Sequence, residues 1–122
     1  MTLVGVLLAG ACGATARYGL DGAVQSRVGG VFPWGTFAIN VSGSFALGVI
    51  AGLALYQGLP DAPRAIVGSG FCGAYTTYST FSYETVRLVE EGSRVTAVTN
   101  VIASTVAGVI AAAAGLAVAA AF

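Results

Sequence analysis

The sequence contains no histidine and no lysine, and only 8% of its residues are charged, against about a quarter in soluble globular domains. Without histidine, a Ser/His/Asp triad, a Cys/His dyad and a His-based metal site are all impossible. Five arginines balance five acidic residues, so the chain has no basic stripe for nucleic acid. These absences exclude much of hydrolytic enzymology and polyanion binding, and they favour transport over catalysis.

The chain is instead rich in apolar residues, at 57% of 122, and its mean hydropathy is +0.87. A helix needs about 20 apolar residues to cross a bilayer. The stretches without any ionisable side chain are 2–16, 28–60, 65–83 and 95–122. We therefore predict an all-α, multi-pass protein of the plasma or inner cell membrane, with one domain over 1–122. The four predicted transmembrane helices are 2–25, 33–56, 63–89 and 95–120.

Small residues recur at helical spacing, as in Gly5, Ala9 and Gly13 of the first span. In lipid, such rows let helix backbones approach closely and drive association. Four short helices are few for enclosing an aqueous path. We therefore expect a homo-oligomer, or a complex with a similar subunit, whose path lies at or beside the interface.

The two cysteines fall in the apolar first and third spans. The run from Leu7 to Cys12 resembles the end of a lipoprotein signal peptide, but no Lys or Arg precedes it and the helical pattern continues to Arg17. We expect Cys12 and Cys72 to be small buried hydrophobic residues rather than a disulfide or a reactive pair.

Polar residues at membrane depth mark two further helices. Thr36, Asn40 and Ser44 lie four apart in the second span and share one face, and Asn100 and Ser104 repeat the spacing in the fourth. An unpaired amide or hydroxyl in the bilayer costs several kcal/mol, on the order of the cost of a lost hydrogen bond in an apolar medium. The two rows form either a hydrogen-bonding track for a small ion or the contact that joins the helices.

The third predicted span contains the most unusual segment, Gly73-Ala74-Tyr75-Thr76-Thr77-Tyr78-Ser79-Thr80-Phe81-Ser82. Hydroxyl, aromatic and β-branched residues crowd the middle of the bilayer here, which predicts a broken third helix. A break near 73–77 would expose backbone carbonyls that suit a hard monovalent cation. The alternative is an aromatic and hydroxyl packing seam.

Two other features bear on an ion path. Tyr78 and Phe81 are three residues apart, and the positive edges of their rings would attract an anion weakly, as conduction requires. Arg17 stays charged at any physiological pH and either snorkels to the membrane interface or lines an anion vestibule. We expect the Tyr78 hydroxyl to bond Ser79, Thr80 or a neighbouring helix; a hydroxyl pointing into the path would instead bind the anion directly.

Taken together, these motifs resemble the CrcB/Fluc family of fluoride channels from end to end. The local patterns that carry the resemblance are Gly13-Ala14-Thr15-Ala16-Arg17-Tyr18, Gly35-Thr36-Phe37-Ala38-Ile39-Asn40 with Gly43-Ser44-Phe45, Gly70-Phe71-Cys72-Gly73 through Thr80-Phe81-Ser82, and Ser104 with Gly108. The third-helix pattern is highly specific, and all four occur in order within a short chain.

The resemblance implies an antiparallel, dual-topology dimer with two narrow pores that export fluoride passively and lower cytoplasmic fluoride. It implies a structural Na⁺ at the dimer interface, held by the backbone carbonyls of Gly73 and Thr76. It also places Glu84 near the pore. The residues that it implies for the fluoride pore are Asn40, Tyr78, Phe81, Ser104, Thr36 and Arg17.

Two positions depart from the family pattern. Tyr78 stands where family members usually have Phe, and Asn100 stands where they often have Tyr. Because some relatives work only as heterodimers of unlike chains that have each lost pore residues, a heterodimer subunit is the alternative. A small multidrug-type transporter is a more distant alternative. Proton coupling requires an acid deep in a span, whereas the first span has none at that depth and Glu84 lies toward the end of its helix. A purely structural assembly subunit would leave the polar third span unexplained.

Overall fold

The computed structural model describes residues 1–122, and its regular secondary structure is entirely helical. Charge-free apolar sequence forms the long helices, and glycines with positive φ occupy the connections, as at Gly29, Gly58 and Gly92. The elements in chain order are α1 (Thr2–Val28), α2 (Trp34–Tyr56), α3 (Asp61–Arg64), a π-helix (Ala65–Cys72), α4 (Gly73–Tyr75), α5 (Ser79–Glu90) and α6 (Arg94–Ala120).

Three of the helices, α1, α2 and α6, are long and apolar enough to cross a membrane. The chain is therefore a multi-pass membrane protein. The predicted third span, 63–89, consists of shorter helical pieces from α3 to α5 rather than one long helix. Helix α1 also continues past the predicted end at residue 25, because no helix-breaking residue occurs before Gly29, whose φ is 65°.

Helices α2 and α6 pack against each other through small residues. Gly48 of α2 faces the backbone of Ala112, and Gly115 of α6 faces the Phe45 carbonyl, so closely in both places that a β-carbon would collide with the opposite helix. This close approach is the packing that small-residue rows permit in lipid. It makes α2 and α6 the tight pair that supports the rest of the bundle.

Helix α1 packs against the π-helix in the same manner. Gly13 faces the backbone of Phe71, and a β-carbon on Gly70 would lie 2.8 Å from the Val6 carbonyl oxygen. A π-helix is wider than an α-helix and shifts the register of the residues that follow it. The π-helix leads directly into the short α4, and thus into the interruption described below.

The cysteine prediction was right for one residue and wrong for the other. Cys72 is buried at 1% exposure, whereas Cys12 lies on the exposed side of α1, and neither forms a disulfide. The error arose because every face of α1 is apolar in sequence. Periodicity then gives no signal for which face contacts the bundle.

Candidate functional site

The helical run of the third segment stops at Tyr75 and resumes at Ser79. Thr76 between them is extended, with φ −78° and ψ 159°. As a result no hydrogen bond within the protein reaches the four consecutive carbonyl oxygens of residues 73–76. Unpaired backbone groups are tolerated at membrane depth only where protein or a cavity surrounds them.

The side chain of Asn40 on α2 binds the backbone of Thr77 at this interruption. The Thr77 N–H donates to Asn40 Oδ1 at 2.9 Å, and Asn40 Nδ2 donates to the Thr77 carbonyl at 2.9 Å. One carboxamide thus replaces both helix bonds that Thr77 lacks, since an Asn side chain carries a donor and an acceptor side by side. One N–H of Asn40 remains for another acceptor.

A second contact holds the chain just before the interruption. The Tyr75 phenol oxygen lies 2.9 Å from Ser42 Oγ, and Ser42 Oγ in turn donates to the Ile39 carbonyl at 3.1 Å. The Tyr75 ring stacks on Phe71 with ring centroids 5.6 Å apart. Residues 75 and 77 are therefore both fastened to α2, and Thr76 lies between two fixed points.

The Thr77 side chain begins the next helix. Its Oγ1 accepts a hydrogen bond from the Thr80 N–H at 3.2 Å, as an N-cap hydroxyl does. Thr77 is also buried, at 9% exposure. It therefore connects the interruption to α5 through its hydroxyl and to α2 through its backbone.

A cavity of about 330 Å³ opens at the interruption. It brings together Asn40, Tyr78, Phe81 and Ser104, four of the six predicted pore residues, although they come from three different segments of the chain. Thr76, predicted as a cation ligand, lines the same cavity. The remaining lining residues are Ser44, Leu47, Thr77 and Thr105.

The other two predicted pore residues, Arg17 and Thr36, line a separate, smaller cavity of about 160 Å³. Asp21 lines it too, but Arg17 forms no ion pair, so its charge is available to the cavity. Thr77 is the one residue that lines both cavities. The predicted row of Thr36, Asn40 and Ser44 is thus shared between two cavities.

Gly73 lies apart from the predicted pore residues. It is exposed and lines a third cavity, of about 510 Å³, with Asp61 and Arg64. Those two side chains pair with each other at 3.6 Å. No group of three or more His, Cys, Asp or Glu residues is placed to hold a metal ion. Any cation at the interruption would therefore depend on neutral oxygen ligands.

The rings of Tyr78 and Phe81 have centroids 6.1 Å apart and are inclined at 45°. The Tyr78 side chain is 80% exposed, so much of its ring projects from the single chain. Within the single chain its hydroxyl forms no hydrogen bond to Ser79, Thr80 or another helix, so the predicted bond stays a prediction for the assembled protein. The Ser79 and Thr80 hydroxyls lie against Thr77 Oγ1 instead, at 3.3 and 3.2 Å.

The sequence assigned no individual role to several residues at the site. Thr77, Tyr75 and Ser42 hold the interruption, and Thr85 of α5 accepts a hydrogen bond from the Asn100 amide at 2.9 Å. Thr85 lies four residues after Phe81, a helical spacing that could have indicated a shared face. Nothing in the spacing of Ser42 and Tyr75, 33 residues apart, indicates that they touch.

Comparison with known proteins identifies the relatives of this chain. The sequence model of the family described as "CrcB-like protein, Camphor Resistance (CrcB)" matches residues 4–116. The chain belongs to the CrcB family.

Curated relatives resemble this CrcB family member over most of their length. "Fluoride-specific ion channel FluC 1" of Frankia casuarinae is 51% identical over 120 residues, which cover 93% of this chain and 92% of the relative. The protein of the same name from Streptomyces avermitilis is 51% identical over 112 residues, covering 91% and 90%. "Fluoride-specific ion channel FluC" of Geobacter metallireducens is 48% identical over 105 residues and covers 85% of each chain.

The bond pair between Asn40 and Thr77 leads to a first prediction. Asn40→Ala leaves the buried N–H and carbonyl of Thr77 unpaired, so we expect the free energy of unfolding to fall by roughly 2–4 kcal/mol. Asn40→Asp keeps the acceptor but sets a carboxylate oxygen against the Thr77 carbonyl, so it should not recover this loss. Thermal unfolding in detergent measures both.

Ser44→Ala is the matched control, because Ser44 lies one turn along α2, lines the same cavity and makes no bond to Thr77. Equal stability losses for Asn40→Ala and Ser44→Ala would contradict the role assigned to Asn40.

Proposed function

We propose that the chain forms a channel that exports fluoride passively across the cell membrane and so lowers cytoplasmic fluoride. The observation that carries the proposal is the cavity at the interruption, where an amide, hydroxyls and two aromatic rings meet at the centre of a membrane chain. The relatives named as fluoride-specific ion channels support it. Conduction makes and breaks no covalent bond, so the proposal includes no enzymatic step.

The chemistry of the cavity suits a small, strongly hydrated anion. The free N–H of Asn40 is a donor that would replace hydrating water, and the Ser104 hydroxyl would become a second donor on release of its bond to Asn100. The ring edges of Tyr78 and Phe81 add weak attraction without deep binding. An ion must leave as readily as it enters, so a path of moderate donors and ring edges favours throughput.

The smaller cavity would serve as the entrance. Arg17 lies there without an ion-pair partner, so its positive charge would raise the local concentration of anions. Thr77 lies between this cavity and the larger one, which would make its surroundings the narrow part of the path. No acidic residue lines the larger cavity, which disfavours proton-coupled cation exchange of the small multidrug type.

The assembly that we propose is an antiparallel homodimer of dual topology. Tyr78 and Gly73 are exposed in the single chain although they lie at membrane depth, as expected for residues that a second subunit covers. A heterodimer with a similar subunit remains the alternative, and the departures at Tyr78 and Asn100 are what favour it.

We also propose that Gly73 and Thr76 hold a structural Na⁺ at the dimer interface through their backbone carbonyls. The fit rests on the carbonyls of 73–76, which accept no hydrogen bond within the protein and are neutral, hard oxygen ligands. The nearby carboxylate of Asp61 is paired with Arg64, so charge does not favour a divalent ion. The ion would supply a fixed positive charge and link the two interruptions.

Fluoride efflux from liposomes tests the channel itself. Protein purified from this single gene product should release fluoride electrogenically, and a proton gradient should not change the rate, because passive conduction needs no coupled ion. Efflux from one chain type supports the homodimer, and efflux only after a second subunit is added supports the heterodimer. Protein that dissipates only cation or proton gradients would refute the proposed function.

Substitution of the aromatic pair tests the path. Phe81→Ala removes a ring edge from the cavity, and we expect fluoride efflux to fall by about tenfold, the equivalent of about 1.4 kcal/mol. Tyr78→Phe removes only the phenol hydroxyl, so the rate should stay nearly constant unless the hydroxyl binds the ion in the assembled pore, in which case conduction speeds up. Unchanged efflux in a Phe81→Ala homodimer would show that this pair does not line a working pore.

The proposed Na⁺ site is tested by stability rather than by flux. Exchanging Na⁺ for choline should lower the midpoint of thermal unfolding in detergent by several degrees, since a ligand bound only to the folded state stabilises it. Thr76→Ala keeps the carbonyl and should keep the Na⁺ dependence. Identical unfolding midpoints in Na⁺ and choline would rule the site out.

A further inference from the structure

A buried amide lies behind the cavity at the interruption, the one of about 330 Å³. Asn100 on α6 is 1% exposed and lines none of the cavities described above. A fully buried carboxamide in an apolar bundle is costly unless both its oxygen and its nitrogen are paired. Both are paired here, and one of the partners is Ser104, a residue of the proposed path.

The bonds form a continuous chain from the cavity to α5. Ser104 Oγ donates to Asn100 Oδ1 at 3.1 Å, and Asn100 Nδ2 donates to Thr85 Oγ1 at 2.9 Å. Thr85 Oγ1 then donates to the Phe81 carbonyl at 2.8 Å. This series of hydrogen bonds begins at Ser104 and ends at Phe81, which line the same cavity, and Asn100 connects α6 to α5 within it.

In this arrangement the Ser104 proton points to Asn100, so the hydroxyl turns oxygen lone pairs rather than a donor toward the cavity. An anion requires a donor. For Ser104 to give its proton to an anion, its oxygen must find another donor, or a buried polar atom is left unpaired. A carboxamide meets this need because it accepts on one side and donates on the other.

We propose that Asn100 is the positioning residue that lets Ser104 change from acceptor to donor as an anion passes. With the amide reversed, Asn100 Nδ2 donates to Ser104 Oγ, and Thr85 donates to Asn100 Oδ1 in place of the Phe81 carbonyl. The amide exchanges its two sides between the same two partners, and no covalent bond changes. This inference rests on the proposed function, and it gives the departure at Asn100 a specific task.

A double-mutant cycle between Asn100 and Ser104 tests the inference. Asn100→Ala and Ser104→Ala should each raise the fluoride concentration for half-maximal efflux by about tenfold, the worth of about one hydrogen bond. Because the two residues act as one unit, the double variant should be within about twofold of either single variant. A merely structural Asn100 would lower the maximal rate through loss of active protein and leave half-saturation unchanged.

Thr99→Val is the matched control. Thr99 is next to Asn100 and its hydroxyl also bonds within α6, to the Val95 carbonyl at 2.8 Å, but it is exposed and belongs to neither the chain of bonds nor the cavity. It should leave efflux unchanged. If Asn100→Ala does not fold, Asn100→Leu fills the volume without polar atoms. If neither variant folds, Thr85→Val removes the hydrogen-bond partner of Asn100 and replaces the Asn100 variant in the double-mutant cycle with Ser104→Ala.

The outcomes separate the two claims. In one case the unmodified protein conducts fluoride, but the losses multiply in the double variant or half-saturation is unchanged in the single variants. Either result overturns the role of Asn100 and leaves the proposed function standing. Absence of fluoride efflux from the unmodified protein overturns the proposed function and this inference with it. Non-additive shifts in half-saturation, with Thr99→Val unaffected, support the role.

Discussion

The pairing of Asn40 with the Thr77 backbone is the interaction on which the site depends. A helix that stops inside a membrane leaves donors and acceptors without partners, and lipid offers none. Asn40 replaces both missing bonds with one side chain. Thr77 is then free to keep a non-helical backbone beside the extended Thr76, and the carbonyls before it remain unpaired.

The rest of the bundle makes that pairing possible. Asn40 is positioned by α2, and α2 is held against α6 by glycines that leave no room for a β-carbon. Ser42, two residues from Asn40 on α2, holds Tyr75 on the other side of Thr76. A helix that packed less tightly would place the amide and the hydroxyl less accurately, because both contacts span two segments with no direct covalent constraint.

The polar residues around the cavity lie in two layers. Residues that line it, such as Phe81 and Ser104, would meet the ion, while Asn100 and Thr85 behind them take up the remaining donors and acceptors. The buried amide of Asn100 therefore has a partner for both its oxygen and its nitrogen, which is what an apolar surrounding demands. The network also ties α5, which follows the interruption, to α6.

The sequence predicted the helical class and the approximate bounds of α1, α2 and α6. It did so because crossing a bilayer requires long apolar stretches without charge, and such stretches are visible in the sequence. The crowding of hydroxyls near Thr76 likewise marked the unusual segment. The partners of these residues did not follow, since Asn40 and Thr77 are 37 residues apart and no local periodicity links them. Which polar residues face a cavity, as Ser104 does, and which are buried behind it, as Asn100 is, depends on the packing of whole helices, and there the tertiary structure was needed.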